Sequence, residues 1–275
     1  MPPSVFANGI GKSGTNLLIK LCGLLGAPYS GFGLAASSII GPYQPVRKLL
    51  RAPKPFERPV DVGLEVSTRV SPFWLRQRLI RCRGKCVSGH AAHSKRLLNM
   101  LLKNRYKIIQ IIRDPRDVTV SFAHWIHTRP DYYAYPAFAG LSHPESMLAL
   151  INGGQCGRLR LRPLAEVLDR SLGWISKANH VLTLRFEDLV GEKGQGSATA
   201  QQKALTLAAG FLHEPGPKNQ GPRGLDLERV RKSLFGGTKT FHKGVVGAWK
   251  KEFTRPVEQA FERQVGHKLS AWGYA

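Results

Sequence analysis

Lys12 stands in a short glycine-containing turn whose residue types suit the binding of a phosphate or sulfate group. The stretch NGIGKSGTNLL, residues 8–18, places an apolar strand-like segment before the turn and a helix-like segment after it. The first N–H groups of such a helix have no partner within the helix and attract an anion, and Lys12 adds a mobile positive charge. The residues that we expect at the anion are Lys12, Ser13, Gly14, Thr15 and Asn16.

This turn is similar to a nucleotide-binding P-loop but does not meet its pattern. A Walker A loop needs G-x4-G-K-[ST]. When Gly11, Lys12 and Ser13 are taken as the G-K-S, the first glycine of the pattern falls on Phe6. We therefore predict an anion-binding turn that is not a Walker A loop. A strand–helix turn of small residues without any ligand is the alternative that this stretch alone leaves open.

Arg113 is the second group that could hold an anion. It ends YKIIQIIR, a nearly continuous apolar run typical of a strand covered on both faces. A guanidinium group there presents a rigid fork of donors to a phosphate. Ser121 lies eight residues later, about two turns into the next predicted helix. From the residues alone, a salt bridge from Arg113 to Asp114 or Asp117 and an ordinary helical role for Ser121 remain open.

The elements that must position these residues alternate between strand and helix. Apolar runs predict strands over SVFANG, KCVSG, YKIIQIIRD and HVLTLRFEDL, and amphipathic patterns predict helices between them. Such alternation favours an α/β fold with a central parallel sheet flanked by helices, formed by one domain over residues 1–275. Ligands of these sheets bind at the carboxyl ends of the strands, where the candidate residues lie. The Gly-, Ser- and Pro-rich residues 31–59 and most of residues 132–161 are predicted to be irregular, with some helix after Pro144.

Four stretches together resemble the PAPS-dependent sulfotransferases, enzymes that use 3′-phosphoadenosine 5′-phosphosulfate (PAPS) and release PAP. GKSGTNLL resembles their 5′-phosphosulfate loop, and IIRDPRDVTVSF resembles their 3′-phosphate motif. FHKGVVGAWKKEFT resembles the C-terminal R-K-G-x-x-G-x-W-K-x-x-F-T motif, and LRFEDL matches the Y-E-D-L strand end. The order and spacing of the four agree with that family over nearly the whole chain.

This resemblance implies a role for each candidate residue. The loop from Lys12 to Asn16 would hold the 5′-phosphate, with Lys12 on the bridging oxygen of the leaving group, and no metal is required. Arg113 and Ser121 would hold the 3′-phosphate. The C-terminal motif would close over the cofactor through His242, Lys243 and Gly244, where His242 replaces the arginine of the family. Leu17 stands where many members carry a tryptophan against the adenine.

His90 is the residue that the resemblance assigns as the catalytic base. It follows the predicted strand KCVSG, at the place where small-molecule sulfotransferases carry K-T-H. The lysine and threonine of that motif are Ser88 and Gly89 here. A histidine titrates near neutral pH and can take a proton from an acceptor hydroxyl. His93, three residues on, is a rival for this role.

A large excess of positive charge favours anionic ligands. The chain has 41 Lys and Arg against 18 Asp and Glu, and no acidic residue between Val66 and Arg113. The expected partner is an acceptor small molecule, lipid or glycan with a free hydroxyl or amine, in a monomer or homodimer. Nucleic acid is not expected because no zinc finger, basic zipper or RNA-recognition motif is visible. A P-loop kinase or NTPase and a non-catalytic binder of anionic glycans or nucleic acid are the alternative functions.

Four cysteines without a paired framework predict free thiols and a reducing compartment. Cys82 and Cys86 have a C-x3-C spacing without a second pair of ligands, so no metal site is predicted. The start MPPSVFANG lacks the basic and apolar segments of a signal peptide, and no apolar run is long enough for stable membrane insertion. A cytoplasmic location is therefore expected.

Overall fold

The computed structural model describes residues 2–35, 56–156, 159–175, 180–213, 225–237 and 244–275. Strands and helices alternate along these residues. In chain order they are β1 (Ser4–Gly9), α1 (Thr15–Leu24), β2 (Tyr29–Leu34), β3 (Val60–Asp61), β4 (Arg69–Val70), α2 (Pro72–Arg81), β5 (Cys86–Gly89), α3 (Lys95–Lys103), β6 (Tyr106–Ile112), α4 (Pro115–His127), α5 (His143–Asn152), β7 (Gly154–Cys156), β8 (Leu159–Leu161), α6 (Leu164–Ile175), β9 (Val181–Arg185), α7 (Phe186–Val190), α8 (Ala198–Leu212), α9 (Leu227–Leu234), α10 (Trp249–Glu252) and α11 (Arg255–Gln264).

Five of the strands form a parallel sheet in the order β2-β5-β1-β6-β9. The central strand β1 pairs with β5 on one side, where Val5 lies opposite Cys86, and with β6 on the other, where Ser4 lies opposite Tyr106. The predicted α/β fold with a central parallel sheet is therefore confirmed. No helix among the described residues combines the length and apolar character needed to cross a membrane.

The strand order changes direction between β1 and β6. From β1 the chain crosses to β2, at one end of this order, and returns to β5, which lies next to β1 on the same side. From β6 it moves to β9 on the other side. The helices that follow β1 and β6 therefore leave the sheet in opposite directions and open a crevice at the carboxyl ends of these two strands. Gly9 and Ile112 end the strands at this crevice, which places the Lys12 turn next to Arg113.

Helices cover both faces of the sheet. Alternating side chains of β1 point to opposite sides: Val5 and Ala7 pack with α1 and α8, whereas Phe6 packs with α2 and α3. A third apolar cluster joins α4, α5, α6 and α11 beyond the carboxyl ends of β1 and β6, where it contains Ile10 and Ile112. Burial on both faces explains why β1 and β6 read as continuous apolar runs rather than as alternating ones.

Strand β2 corrects the prediction that residues 31–59 are irregular. Residues 31–34 belong to a strand that, among the described residues, pairs with β5 alone, with a break in register between Tyr29 and Gly33. Gly31 and Gly33 weaken the local strand signal, so the pairing depends on the neighbouring strand. Residues 36–55 of the same stretch lie outside the described residues.

Two other segments are more ordered than predicted. Helix α5 starts at His143 because Ser142 and Glu145 form a reciprocal capping box, and a short hairpin of β7 and β8 follows it. The stretch GEKGQGSATAQQ has the composition of a flexible surface loop, but Ser197 caps α8, which begins inside it at Ala198. Helix α2, for which no element was predicted, is capped by Ser71 and buries Leu75 and Leu79.

A buried amide pair fixes the crevice end of the sheet. The Asn8 side chain donates to Gln110 Oε1 at 2.8 Å and to the Ala91 carbonyl at 3.2 Å, and it accepts from the Ala91 N–H at 2.9 Å. Both amide residues are fully buried. Asn8 thereby connects β1 to β6 and to the residue that follows His90, so it positions His90 as well as the strands.

We predict that Asn8→Ala lowers the free energy of unfolding by about 1–3 kcal/mol, because it leaves the Ala91 N–H and the Gln110 amide without their buried partner. Urea denaturation followed by circular dichroism measures the change. Asn152→Ala is the matched control, since Asn152 is exposed and surface changes stay within about 0.5 kcal/mol. An equal effect of the two substitutions would contradict this account of Asn8.

Candidate active site

A cavity of about 220 Å³ lies at the carboxyl ends of β1 and β6. Most of the residues that were predicted to bind a ligand or act on it line this cavity. They are Lys12, Gly14, Thr15, Asn16, His90, Arg113, Ser121 and Gly244. The structure thus brings together residues that are up to 232 positions apart in the chain. His242 and Lys243, also predicted at this site, lie outside the described residues.

The turn between β1 and α1 has the backbone of an anion-binding loop. Lys12 and Gly14 both have positive φ, 66° and 103°. A Cβ on Gly14 would lie 2.6 Å from the Phe186 ring, so this position requires glycine for conformation and for space. Gly14 is the N-cap of α1, and neither a side-chain cap nor an acidic residue occupies the first turn. No side chain therefore caps this helix end, where backbone N–H groups can meet an anion.

Thr15 and Ser13 differ in what their hydroxyl groups do. Thr15 Oγ1 is buried without a hydrogen-bond partner among the described residues, and Thr15 lines the cavity. Ser13 is fully buried and does not line it. Its Oγ donates to the Ile10 carbonyl at 2.8 Å and its N–H to the same carbonyl at 3.1 Å. Both donors of Ser13 hold the turn in shape, and its role at the anion stays a prediction.

Lys12 is a weakened base in a positively charged surrounding. Its ammonium group lies 5.3 Å from the centre of the Trp125 ring, within the range of a cation–π contact. Burial first, and then the positive charges of Arg113 and Arg129, lower the pKa of Lys12 from 10.5 to about 8. An anion at the turn would offset this repulsion and raise the pKa again.

Arg113 joins the turn to the C-terminal part of the chain. Its guanidinium donates to the Lys12 carbonyl at 3.3 Å and to the Val245 carbonyl at 3.0 Å, and it lies 4.3 Å from the centre of the Phe186 ring. Arg113 Nε is buried without a hydrogen-bond partner among the described residues. The residue is only 6% exposed and yet lines the cavity, so an anion there would meet a largely desolvated cation.

Asp117 holds the segment that covers Arg113. Its carboxylate lies 4.0 Å from the Arg113 guanidinium, one helical turn away, and it accepts hydrogen bonds from the N–H groups of Gly247 at 2.7 Å and Trp249 at 3.0 Å. Burial raises the pKa of Asp117, while Arg113 opposes that rise. Of the two salt-bridge partners that the sequence offered for Arg113, the structure selects Asp117, because Asp114 pairs with Arg116 at 2.8 Å.

The two candidate histidines have different surroundings. His90 lines the cavity, and its Nδ1 donates to the Gly9 carbonyl at 2.7 Å. Since a carbonyl can only accept, this contact assigns the proton to Nδ1 and leaves the lone pair on Nε2. His93 does not line the cavity and instead packs edge-on against Trp174 with ring centres 4.9 Å apart. The geometry therefore favours His90 as the base.

Two groups of apolar side chains line the rest of the cavity. Leu17, Phe186, Val190 and Phe235 belong to or pack against the core cluster around α1, α8 and α9. Phe122, Trp125 and Tyr132 belong to another cluster and contact one another through their rings, with centres 4.8 to 6.2 Å apart. A ligand with two dissimilar parts could therefore pack against two separate apolar surfaces.

Sequence reasoning missed three polar residues of the cavity wall, Glu65, His124 and Glu252. Glu65 is only 9% exposed. It is the last acidic residue before the long basic stretch that starts at Val66. His124 lies one turn beyond Ser121, a spacing that could have drawn attention to it. Glu252 lies inside the C-terminal motif, and only the fold shows that it faces the same cavity.

Comparison with known proteins addresses both the family and the fold. The sulfotransferase domain family matches residues 2–195. The mouse sulfotransferase SULT7A1 complexed with PAP has a similar fold, with a TM-score of 0.57 and 16% identity over 99% of this chain and 89% of that chain. Retinol dehydratase in complex with androsterone and the inactive cofactor PAP gives 0.57 and 16% over 98% of this chain and 81% of that chain. No curated protein sequence matches the chain significantly.

We predict that the Lys12 side chain of the ligand-free protein titrates with a midpoint near pH 8, about two units below an exposed lysine. NMR of protein labelled with ¹³C at the lysine Cε atoms measures the titration, and Lys12→Met assigns the signal by removing it. If no lysine signal of the wild type titrates near pH 8, burial and the neighbouring arginines do not act on Lys12 as described.

Proposed function

The chain belongs to the sulfotransferase domain family, and we propose that the cavity between β1 and β6 is where it moves a sulfuryl group from PAPS to an acceptor. The observation that carries this proposal is the meeting of two phosphate-binding groups. The Arg113 guanidinium contacts the carbonyl of Lys12 itself, although the two residues are 101 positions apart. A nucleotide with phosphates at both ends of its ribose needs two such groups close together.

The nucleotide would be held by both ends. The uncapped first turn of α1 and Lys12 suit the 5′-phosphate, because they combine backbone N–H donors with a mobile cation. Arg113 and Ser121, which both line the cavity, suit the 3′-phosphate. Gly244 lies at the same cavity with positive φ, which supports the roles that the sequence gives to Lys243 and His242.

The apolar side chains around α1 offer a surface for the adenine. Leu17 occupies the position at which a tryptophan was expected, and it lines the cavity together with Val190 and Phe235. An aromatic ring and two aliphatic side chains can sandwich a flat base. We assign the adenine to this surface, which would take the place of the tryptophan that many family members carry.

The proposed reaction is an in-line displacement at sulfur. The acceptor oxygen or nitrogen forms a new bond to sulfur while the bond from sulfur to the bridging oxygen of PAPS breaks, so PAP leaves with that electron pair. His90 Nε2 takes the proton of the acceptor, and its Nδ1–H stays on the Gly9 carbonyl. Lys12 stabilises the negative charge that grows on the leaving oxygen, as positive groups do in phosphoryl transfer.

The acceptor would enter beside Phe122, Trp125 and Tyr132. These rings line the cavity with His90 and Glu65, so the acceptor surface is mainly aromatic with a carboxylate beside it. This combination favours a compact apolar molecule that presents a hydroxyl or amine as a hydrogen-bond donor.

The free, buried thiols of Cys22, Cys82 and Cys86 support a reducing, cytoplasmic location.

We expect the protein to bind PAP at least tenfold more tightly than AMP, because only PAP offers a 3′-phosphate to Arg113. Calorimetry with PAP, AMP and ATP–Mg measures the three affinities. Arg113→Met should abolish the preference for PAP over AMP while leaving AMP binding. Tighter binding of ATP–Mg would favour a phosphoryl transferase instead. Salt-sensitive binding of all three without preference would favour a non-catalytic binder of anions.

His90→Gln should lower turnover by about 10²-fold or more, because it removes a positioned base, and should leave PAP affinity nearly unchanged. His93→Gln is the matched control and should keep most of the activity, since His93 packs against Trp174 away from the cavity. Transfer from labelled PAPS to a panel of phenols, alicyclic alcohols and amines gives the turnover. The reverse result for the two histidines would assign the base to His93.

A further inference from the structure

Two histidines and a glutamate form a cluster at the cavity wall that the proposed reaction does not use. One nitrogen of His124, one nitrogen of His143 and one carboxylate oxygen of Glu252 all lie within 4.8 Å of one another. His124 Nε2 is 2.6 Å from Glu252 Oε2, and His143 Nδ1 is 3.7 Å from the same oxygen. The imidazole rings are stacked with centres 3.8 Å apart.

We propose that His124, His143 and Glu252 form a binding site for a divalent transition-metal ion, with Zn²⁺ as its best fit. Two imidazoles and one carboxylate are a ligand set that Zn²⁺ prefers, and bond lengths of about 2.0–2.2 Å put neighbouring ligand atoms about 3.3 Å apart. The present distances of 2.6 and 3.7 Å bracket that value. To form the site, the two imidazoles rotate out of their stacked arrangement, so that the in-plane lone pair of each nitrogen points at the same ion.

The environment of the cluster agrees with a metal site. All three residues are partly buried, so their ligand atoms are partly shielded from competing water. His143 Nε2 is buried as well.

The position of the site defines what bound metal would do. His124 lies on α4, His143 begins α5, and Glu252 ends α10, so the ion would link three segments that are distant in sequence. His124 and Glu252 also line the cavity, and three protein ligands leave a fourth position of a tetrahedral ion open. The ion would therefore fasten the segment after Gly244 to α4 and present an exchangeable position towards the cavity.

The inference is tested on the full chain after treatment with a chelator. Zn²⁺ is titrated against a chromogenic chelator, and Co²⁺ absorption reports the coordination geometry. We expect one equivalent of metal, a tetrahedral Co²⁺ spectrum and a higher melting temperature with Zn²⁺. His143→Ala and Glu252→Gln should each weaken the affinity by about tenfold or more. A wild type that gives no tetrahedral Co²⁺ spectrum overturns the inference, whatever the variants do.

His127→Ala is the matched control. His127 lies on α4 one turn after His124, and its Nε2 contacts the Ser146 hydroxyl at 2.9 Å instead of the cluster. The His127→Ala variant should bind Zn²⁺ with the affinity of the wild type. Equal loss of Zn²⁺ in His127→Ala and His143→Ala would place the metal elsewhere on the chain and overturn the inference. Circular dichroism of each variant shows that a loss of metal is not a loss of fold.

Discussion

A buried pair of opposite charges, Arg113 and Asp117, holds together the parts of the chain that meet at the cavity. Removing both charges from water costs several kcal/mol for each ion, and their mutual attraction offsets this only with further hydrogen bonds. Those bonds go to the backbones of other segments: Arg113 donates to the carbonyls of Lys12 and Val245, and Asp117 accepts from the N–H groups of Gly247 and Trp249. The pair therefore fixes the turn after β1 and the C-terminal segment relative to one strand end.

Arg113 also places a second positive charge close to Lys12. Burial and two arginines lower the pKa of Lys12 to about 8, which corresponds to a cost of roughly 3 kcal/mol for keeping the ammonium charged. That cost weakens the folded protein below pH about 8 and disappears as the pH rises towards the ordinary value of 10.5. A bound anion removes it at neutral pH, so part of the affinity for a phosphate would come from relief of repulsion among Lys12, Arg113 and Arg129.

The sequence predicted best what neighbouring residues determine. Strands β1 and β6 are long apolar runs. The turn after β1 is indicated by glycine, lysine and hydroxyl residues that follow one another in the sequence. Strand β2 was missed because its glycines carry no strand signal and β5 supplies the pairing. The use of both Ser13 donors within the turn could not be predicted, because composition does not tell which way a hydroxyl points. His124, His143 and Glu252 were not grouped because only packing of α4, α5 and α10 makes them neighbours.

The C-terminal segment completes a site that the family match alone would leave open. The match ends at residue 195, whereas Gly244, Val245 and Glu252 line the cavity from beyond that point. Asp117, inside the matched part, offers its carboxylate to backbone N–H groups of this segment, and a backbone N–H is available at any residue type except proline. The segment can therefore change its side chains without losing its attachment. Side chains that face the cavity from this segment, such as Glu252 beside His124, can therefore vary while Lys12 and Arg113 stay in place.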